Sequence, residues 1–222
     1  MISEQFLEQV LSESQKMGFI GGGPLDQHLT HSRDFLSAID EISAGGQNKK
    51  GFSIVDMGSG GGLPGIPLAA WIEKANFRLI ESSLKRSRFL QSIVEEAGET
   101  TRVEVVNKSA ESAARENKFR ETQDLLVSRL FGPISVALEC GSPFIRVSGI
   151  LIISKYPEPK YNLKNEHPAV LETLGLEELE EWSNGRSTFA IFRKVSQVSQ
   201  DYPRKTGLPR KRPLFSVSRE TL

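Results

Sequence analysis

Residues 54–68 read Ile-Val-Asp-Met-Gly-Ser-Gly-Gly-Gly-Leu-Pro-Gly-Ile-Pro-Leu, and no other stretch limits the possible folds as strongly. A short apolar run ends in a glycine cluster, and a helical pattern follows. That is a strand, a tight turn and a helix start. Glycines at 58, 60 and 62 let the backbone come close to a ligand, because no side chain stands in the way. The spacing is G-x-G-x-G. A dinucleotide-binding G-x-G-x-x-G would need glycine at position 63, where the chain has Leu63.

The turn sits inside an alternation of strands and helices. Apolar runs predict strands at 52–57, 77–81, 102–106, 124–128 and 149–155. Helical spacing predicts helices at 64–74, 84–97 and 133–146, the last broken by Pro143. Two more strands, near 176–182 and 187–194, are close enough to pair as a hairpin. This rhythm implies a parallel sheet with helices on both faces, finished by an antiparallel hairpin. The expected fold is a doubly wound, mostly parallel seven-stranded α/β sheet of the class I methyltransferase type. Two helices, at 3–17 and 25–43, precede it, with Ser3 as a cap and Phe6, Leu7, Val10, Leu11, Leu29, Phe35, Leu36 and Ile39 facing inward. The expected organisation is a helical extension over 1–50, the main domain over 51–200 and a tail over 201–222. That tail, rich in proline and basic residues, reads as an extended segment lying on the domain or on a partner.

Bulk properties close off several classes. The 222 residues allow one sizeable domain that buries a core without disulfides or metals. Formal net charge is zero, so any nucleic-acid contact must come from a local patch. The single cysteine, Cys140, lies in an apolar stretch and reads as a buried, inert thiol. No signal-peptide pattern and no bilayer-length apolar run is present, so a cytoplasmic setting is expected. No obvious pairing segment is seen, which makes a monomer the expectation. His28, His31 and His167 show no metal-ligand grouping, and Trp71 and Trp182 read as core or partly buried aromatics.

In open α/β sheets the ligand sits outside the carboxyl ends of the strands. After the first strand come Gly58, Gly60, Gly62 and Leu63, with Asp56 just before the turn. An acid there would repel a pyrophosphate but suits a cationic or hydroxyl-bearing ligand. S-adenosylmethionine, with its amino group, sulfonium and ribose, meets that description. The second strand ends at Glu81, roughly twenty residues past the glycines, the usual distance for an acid that binds ribose hydroxyls. A carboxylate can accept from both hydroxyls through charge-assisted bonds. After the third strand come Ala110 and Glu111, a position that flanks an adenine ring. After the fourth come Ser128, Arg129, Leu130 and Phe131, where substrate and methyl donor should meet.

These residues carry a resemblance. Val55 to Leu68 is similar to the signature of the bacterial 16S ribosomal RNA guanine-N7 methyltransferases, the RsmG (GidB) family, down to its Leu-Pro-Gly-Ile-Pro extension. The block Leu79-Ile80-Glu81-Ser82 with Lys85, Arg88, Phe89 and Leu90 resembles the family's second-strand block. Ala110-Glu111, Ser128 to Phe131, Gly149 to Lys155 and Arg204 to Leu214 fall where its later blocks should. The resemblance implies that Gly58, Leu63, Ala110, Glu111 and Arg129 contact the donor. It implies a small-subunit ribosomal RNA substrate, and Glu81 in place of the more usual aspartate. The first fifty residues depart from the family pattern. Where it has an Asn-Leu-Thr element and a His…Asp-Ser-Leu block, this chain has His28-Leu29-Thr30-His31 and Asp34-Phe35-Leu36.

N7 of guanine carries a lone pair and no proton at neutral pH, so no general base is expected. Arg129 is the nearest candidate for a catalytic group, and proximity and alignment carry the rest. Lys155, Arg204, Lys205, Arg210, Lys211 and Arg212 are the expected RNA contacts, with Arg129 beside them. Two rival readings stand beside this one. A dinucleotide-dependent oxidoreductase is opposed by Leu63. A non-catalytic RNA-binding or ribosome-assembly protein that retains the fold is opposed by the intact turn, Glu81 and Arg129.

Overall fold

The computed structural model describes residues 2–43, 50–154 and 162–216. The chain divides into two compact units, Met1–Ser109 and Ala110–Leu222.

In the first unit, α1 (Glu4–Lys16) starts where Ser3 Oγ accepts from Phe6 N at 3.2 Å. It buries Leu7, Val10, Leu11 and Ser14, spaced as one helix face. Helix α2 (Leu25–Ser43) covers the expected span and buries Leu29, Phe35, Ala38 and Ile39. Three parallel strands follow: β1 (Ser53–Met57), β2 (Asn76–Ile80) and β3 (Val103–Val106), ordered β3-β2-β1. Strand β1 is buried at every residue, Asp56 included, which fits its apolar Ile54, Val55 and Met57. Between the strands run α3 (Gly65–Trp71) and α4 (Leu84–Glu96).

Helix α3 is short and ends in carbonyls that Arg102 collects. The guanidinium donates to Ala69 O at 2.8 Å, Ala75 O at 3.3 Å and Ile72 O at 3.4 Å, and pairs with Glu99 at 2.9 Å. A cation there also suits the negative end of the helix. Trp71 donates its ring N–H to Glu4 Oε1 at 3.2 Å, and Arg33 lies over the ring at 4.6 Å, joining α1, α2 and α3.

The second unit opens with the four-residue helix α5 (Ala110–Ala113), which has no periodicity to announce it. Strand β4 (Gln123–Ser128) pairs parallel with β5 (Ile145–Ser154). Helix α6 (Ile134–Gly141) stops before Pro143 and gives way to a 3-10 turn, Ser142–Phe144. The expected helix over 133–146 is therefore shorter, and β5 starts earlier than 149. A register shift opposite Gln123 and Leu125, with exposed Arg146, Val147 and Ser148, hides the start of β5 from a periodicity count. Helices α7 (Leu163–Glu166) and α8 (Pro168–Leu174) lead into β6 (Leu176–Glu178), β7 (Trp182–Ser183) and β8 (Thr188–Lys194). Strand β8 runs antiparallel to β5, β6 and β7. The parallel strands with an antiparallel finish thus hold. The described residues contain eight strands rather than seven, because the two-residue β7 pairs with β8 separately from β6. Gly175 ends α8 at φ +64°, and a Cβ there would stand 2.2 Å from Ser196 O.

The last residue of β8 is a fully buried lysine. Lys194 Nζ donates to Ser142 Oγ at 2.7 Å, Leu174 O at 3.1 Å and Ser142 O at 3.2 Å, and lies 3.5 Å from Glu121. Burial lowers its pKa to about 8 against the attraction of Glu121. At pH 7 the lysine is charged in both folded and unfolded chains. Between about pH 8 and 10.5 the unfolded chain holds the extra proton, so stability rises with pH through that window. Relative to a Lys194→Met variant, the wild type should gain about 3 kcal/mol across it. Urea titrations at stepped pH check this, and a flat difference would contradict it.

No helix among the described residues is long and apolar enough to cross a membrane.

Candidate functional site

The glycine turn is built from the end of β1 outward. Gly58 N and Ser59 N both donate to Ile80 O, at 2.9 and 3.0 Å, which fastens the turn to the end of β2. Gly58, Gly60 and Gly62 have φ of +80°, +55° and +100°, the region that a side chain disfavours. Leu63 is buried at the helix end of the turn. Asp56 is fully buried, and its Oδ2 accepts from Gly65 N at 3.0 Å. Its carboxylate therefore shapes the turn from inside. A Cβ on Gly65 would stand 2.4 Å from that oxygen, so only glycine allows the bond.

Glu81 closes the other side. Its Oε2 accepts from Gly60 N at 2.9 Å, and its Oε1 accepts from Ser83 N at 2.7 Å. Asn107 Nδ2 in turn donates to Glu81 O at 3.0 Å. The residue is buried, and its carboxylate still has lone-pair sites beyond these two bonds. The turn has one packed edge and one bare one. A Cβ on Gly61 would meet Ser14 Oγ at 2.0 Å, Ile20 Cγ2 at 2.7 Å and Phe19 Cβ at 3.1 Å. At Gly60 the nearest such atom is Gly58 O at 3.8 Å. The bare edge lies beside the Glu81 carboxylate, which bonds Gly60 N.

In the second unit Ala110 and Glu111 open α5, and both are buried. Glu111 Oε1 accepts from Gly207 N at 3.0 Å, a partner supplied by the tail. Arg129 is half-buried just past β4. Leu130 beside it has φ +56° and is 61 % exposed. The described part of the tail lies on its own unit, but it is not extended throughout. It includes a helical turn, α9 (Leu208–Lys211), and residues 201–210 are bonded to their own unit at several points. Arg120 donates to Tyr202 O, Ser199 O and Val198 O at 2.8–3.0 Å. Arg115 donates to Asp201 O at 3.3 Å and also to Pro203 O, and Glu121 accepts from Val198 N at 2.9 Å. Arg204 forks onto Glu139 of α6, with Nε at 2.8 Å and Nη2 at 2.6 Å, and its backbone N adds a bond at 3.0 Å. That bond raises the Arg204 pKa. Arg210 donates to Phe131 O and lies over its ring at 5.2 Å. Cys140 is buried, and burial beside Glu111 and Glu139 raises its thiol pKa well above the usual range.

The chain matches the family described as GidB, rRNA small subunit methyltransferase G, over residues 3–183. This chain belongs to the GidB family. It is 34 % identical over 217 residues to the ribosomal RNA small subunit methyltransferase G of Carboxydothermus hydrogenoformans, covering 95 % of this chain and 90 % of that one. It is 36 % identical over 198 residues to the namesake from Rubrobacter xylanophilus, covering 84 % and 72 %. A crystal structure of a SAM-dependent methyltransferase from Aquifex aeolicus superposes with a TM-score of 0.57 at 18 % identity, covering 83 % of this chain and 98 % of that one. The fold is thus the class I methyltransferase fold expected from the sequence.

Within this GidB-family chain the structure gathers Asp56, Gly58, Gly60, Gly62, Leu63 and Glu81 around one turn. Of the expected RNA contacts, Lys205, Arg210, Lys211 and Arg212 are exposed, whereas Arg204 and Arg210 already bond within the protein. Lys155 lies outside the described residues. The sequence reading missed Arg115, Arg120, Glu121 and Glu139, which hold the tail. A detectable signal existed for Glu139 alone, as an acid inside the apolar run Ile-Ser-Val-Ala-Leu-Glu-Cys.

Proposed function

We propose that this protein is an S-adenosylmethionine-dependent methyltransferase that methylates N7 of a guanosine in 16S ribosomal RNA of the small subunit. The observation that carries the reading is the buried Glu81 carboxylate bonded to Gly60 N, on a chain of the GidB family. Glu81 holds the ribose hydroxyls. Gly58, Gly60, Gly62 and Leu63 line the donor's path along the bare edge, with Asp56 supporting the turn from behind. By the family resemblance Ala110, Glu111 and Arg129 are also donor contacts.

S-adenosylmethionine supplies a methyl group activated by its sulfonium. Guanine N7 presents a lone pair without a proton, so no side chain needs to act as a base. The protein's work is to align the two, and alignment alone can supply several kcal/mol. The guanine ring becomes cationic, so carbonyl or carboxylate oxygens near it favour the product-like charge. An unstacked base in a loop or single strand is the fitting target. Lys205, Arg210, Lys211 and Arg212 present positive charge to its backbone. Residues 1–50, 51–200 and 201–222 serve as extension, catalytic domain and RNA-facing tail of a cytoplasmic monomer acting on the small subunit.

Calorimetry should show binding of S-adenosylmethionine and its demethylated product, and none of a nicotinamide dinucleotide. Methyl transfer to purified 16S rRNA should then mark guanosine N7. Donor binding without any transfer to RNA or to subunits would favour the ribosome-assembly reading. No affinity for the donor would end the methyltransferase reading and leave the ribosome-assembly one.

A further inference from the structure

We infer that a cleft between the α1–α2 loop and the first turns of α4 is a second RNA contact, which takes the single strand flanking the target base. The inference rests on the rRNA reading above. The cleft, about 630 Å³, is lined by Met17, Leu84, Lys85, Arg88, Phe89 and Ser92, within the usual size range of a ligand site. Its chemistry is mixed. Met17 and Leu84 are large apolar side chains left 41 % and 53 % exposed. Phe19 packs edge-on against Phe89 with centroids 5.4 Å apart, while Lys85 and Arg86 sit 5.3 and 6.0 Å from the Phe19 ring centre. Apolar and aromatic surface beside cations is what a single strand needs, because bases stack on the one and phosphates pair with the other.

Charge placement points the same way. Lys85, Arg86 and Arg88 crowd the N-terminal end of α4, whose first turn has no acid, and Glu95 and Glu96 end it. Cations at the positive end of a helix and anions at the negative end both oppose the macrodipole. The arrangement costs the helix stability, and among the described residues only the Phe19 ring lies against two of these cations. Among the described residues none of the three cations forms an ion pair. An anion from outside would relieve it.

Position ties the cleft to the donor turn. Phe19 and Ile20, just past Met17 and Gly18, pack against Gly61, and Ser14 Oγ donates to Gly61 O at 3.1 Å. A strand held by the cleft lies next to the glycines, so grip on flanking nucleotides keeps the RNA bound beside the donor turn.

The test uses full-length protein and two pairs of substitutions, Lys85→Gln/Arg88→Gln and Met17→Ser/Leu84→Ser. Binding of protein-free 16S rRNA and of a single-stranded oligoribonucleotide is followed by fluorescence anisotropy across a salt series. Losing two phosphate contacts to a single strand should flatten the slope of log affinity against log salt by about 1.4. The apolar pair should weaken binding with the slope held. In both, KM for RNA should rise while kcat and donor affinity hold, and the melting temperature of the glutamine variant should stay or increase. An unchanged slope and KM in the glutamine variant overturns the inference, provided the wild type methylates RNA. A loss seen with assembled subunits but not with protein-free RNA overturns it too, and assigns the cleft to a ribosomal protein. Failure of the wild type to bind or methylate any RNA would instead strike the functional reading itself.

Discussion

Replacing Arg204 with alanine is expected to lower the unfolding free energy by about 3–5 kcal/mol. The reason lies in Glu139. Its carboxylate is fully buried and is satisfied by three donors, all from Arg204. The substitution leaves only the backbone N–H, and an ionised group stays behind without its counter-charge. Removing one partner of a buried pair costs far more than the pair itself contributes. For a chain of this size the loss corresponds to a melting temperature lower by about 6–20 °C. A Glu139→Leu/Arg204→Ala double variant should recover much of it, because no buried charge then remains. Thermal unfolding of the three proteins decides the matter. A single variant within 1 kcal/mol of wild type would mean that the latch is dispensable.

The second large effect is on ligand binding. Glu81→Gln should weaken S-adenosylmethionine by about 10- to 100-fold, the worth of one charge-assisted hydrogen bond. Both carboxylate oxygens already accept a backbone N–H, from Gly60 and from Ser83. An amide can accept at only one of these places, and its NH2 then faces a donor at the other. The substitution therefore disturbs the turn as well as the ribose contact. Glu81→Asp keeps the charge and should fall close to wild type. Calorimetric titration with the demethylated donor separates the outcomes. Equal affinities for Glu, Gln and Asp at this position would remove Glu81 from the site.

Both sites show what a sequence discloses and what it withholds. The turn was legible because its parts are contiguous. A buried strand, three glycines and a helix start follow one another, and Glu81 stands at a distance set by one strand–helix–strand unit. The long elements were legible for a similar reason, since α1, α2 and α4 repeat their buried face over several turns. The four-residue helices α5, α7 and α9 give no periodicity to count. The tail was legible as a segment lying on the domain or on a partner, but its helical turn and its anchors were not. Its conformation depends on Arg115, Arg120, Glu121 and Glu139, more than sixty residues away in the chain. No local pattern couples residues at that separation. Lys194 was hidden in the same way, as the charged end of a strand that reads like an edge.

The tail also sets an order of events. Glu139 waits for residue 204, Glu111 for residue 207 and Phe131 for residue 210. During synthesis these partners emerge well after the groups that they satisfy. The second unit therefore cannot complete its packing on a nascent chain until residues 204–210 have left the ribosome.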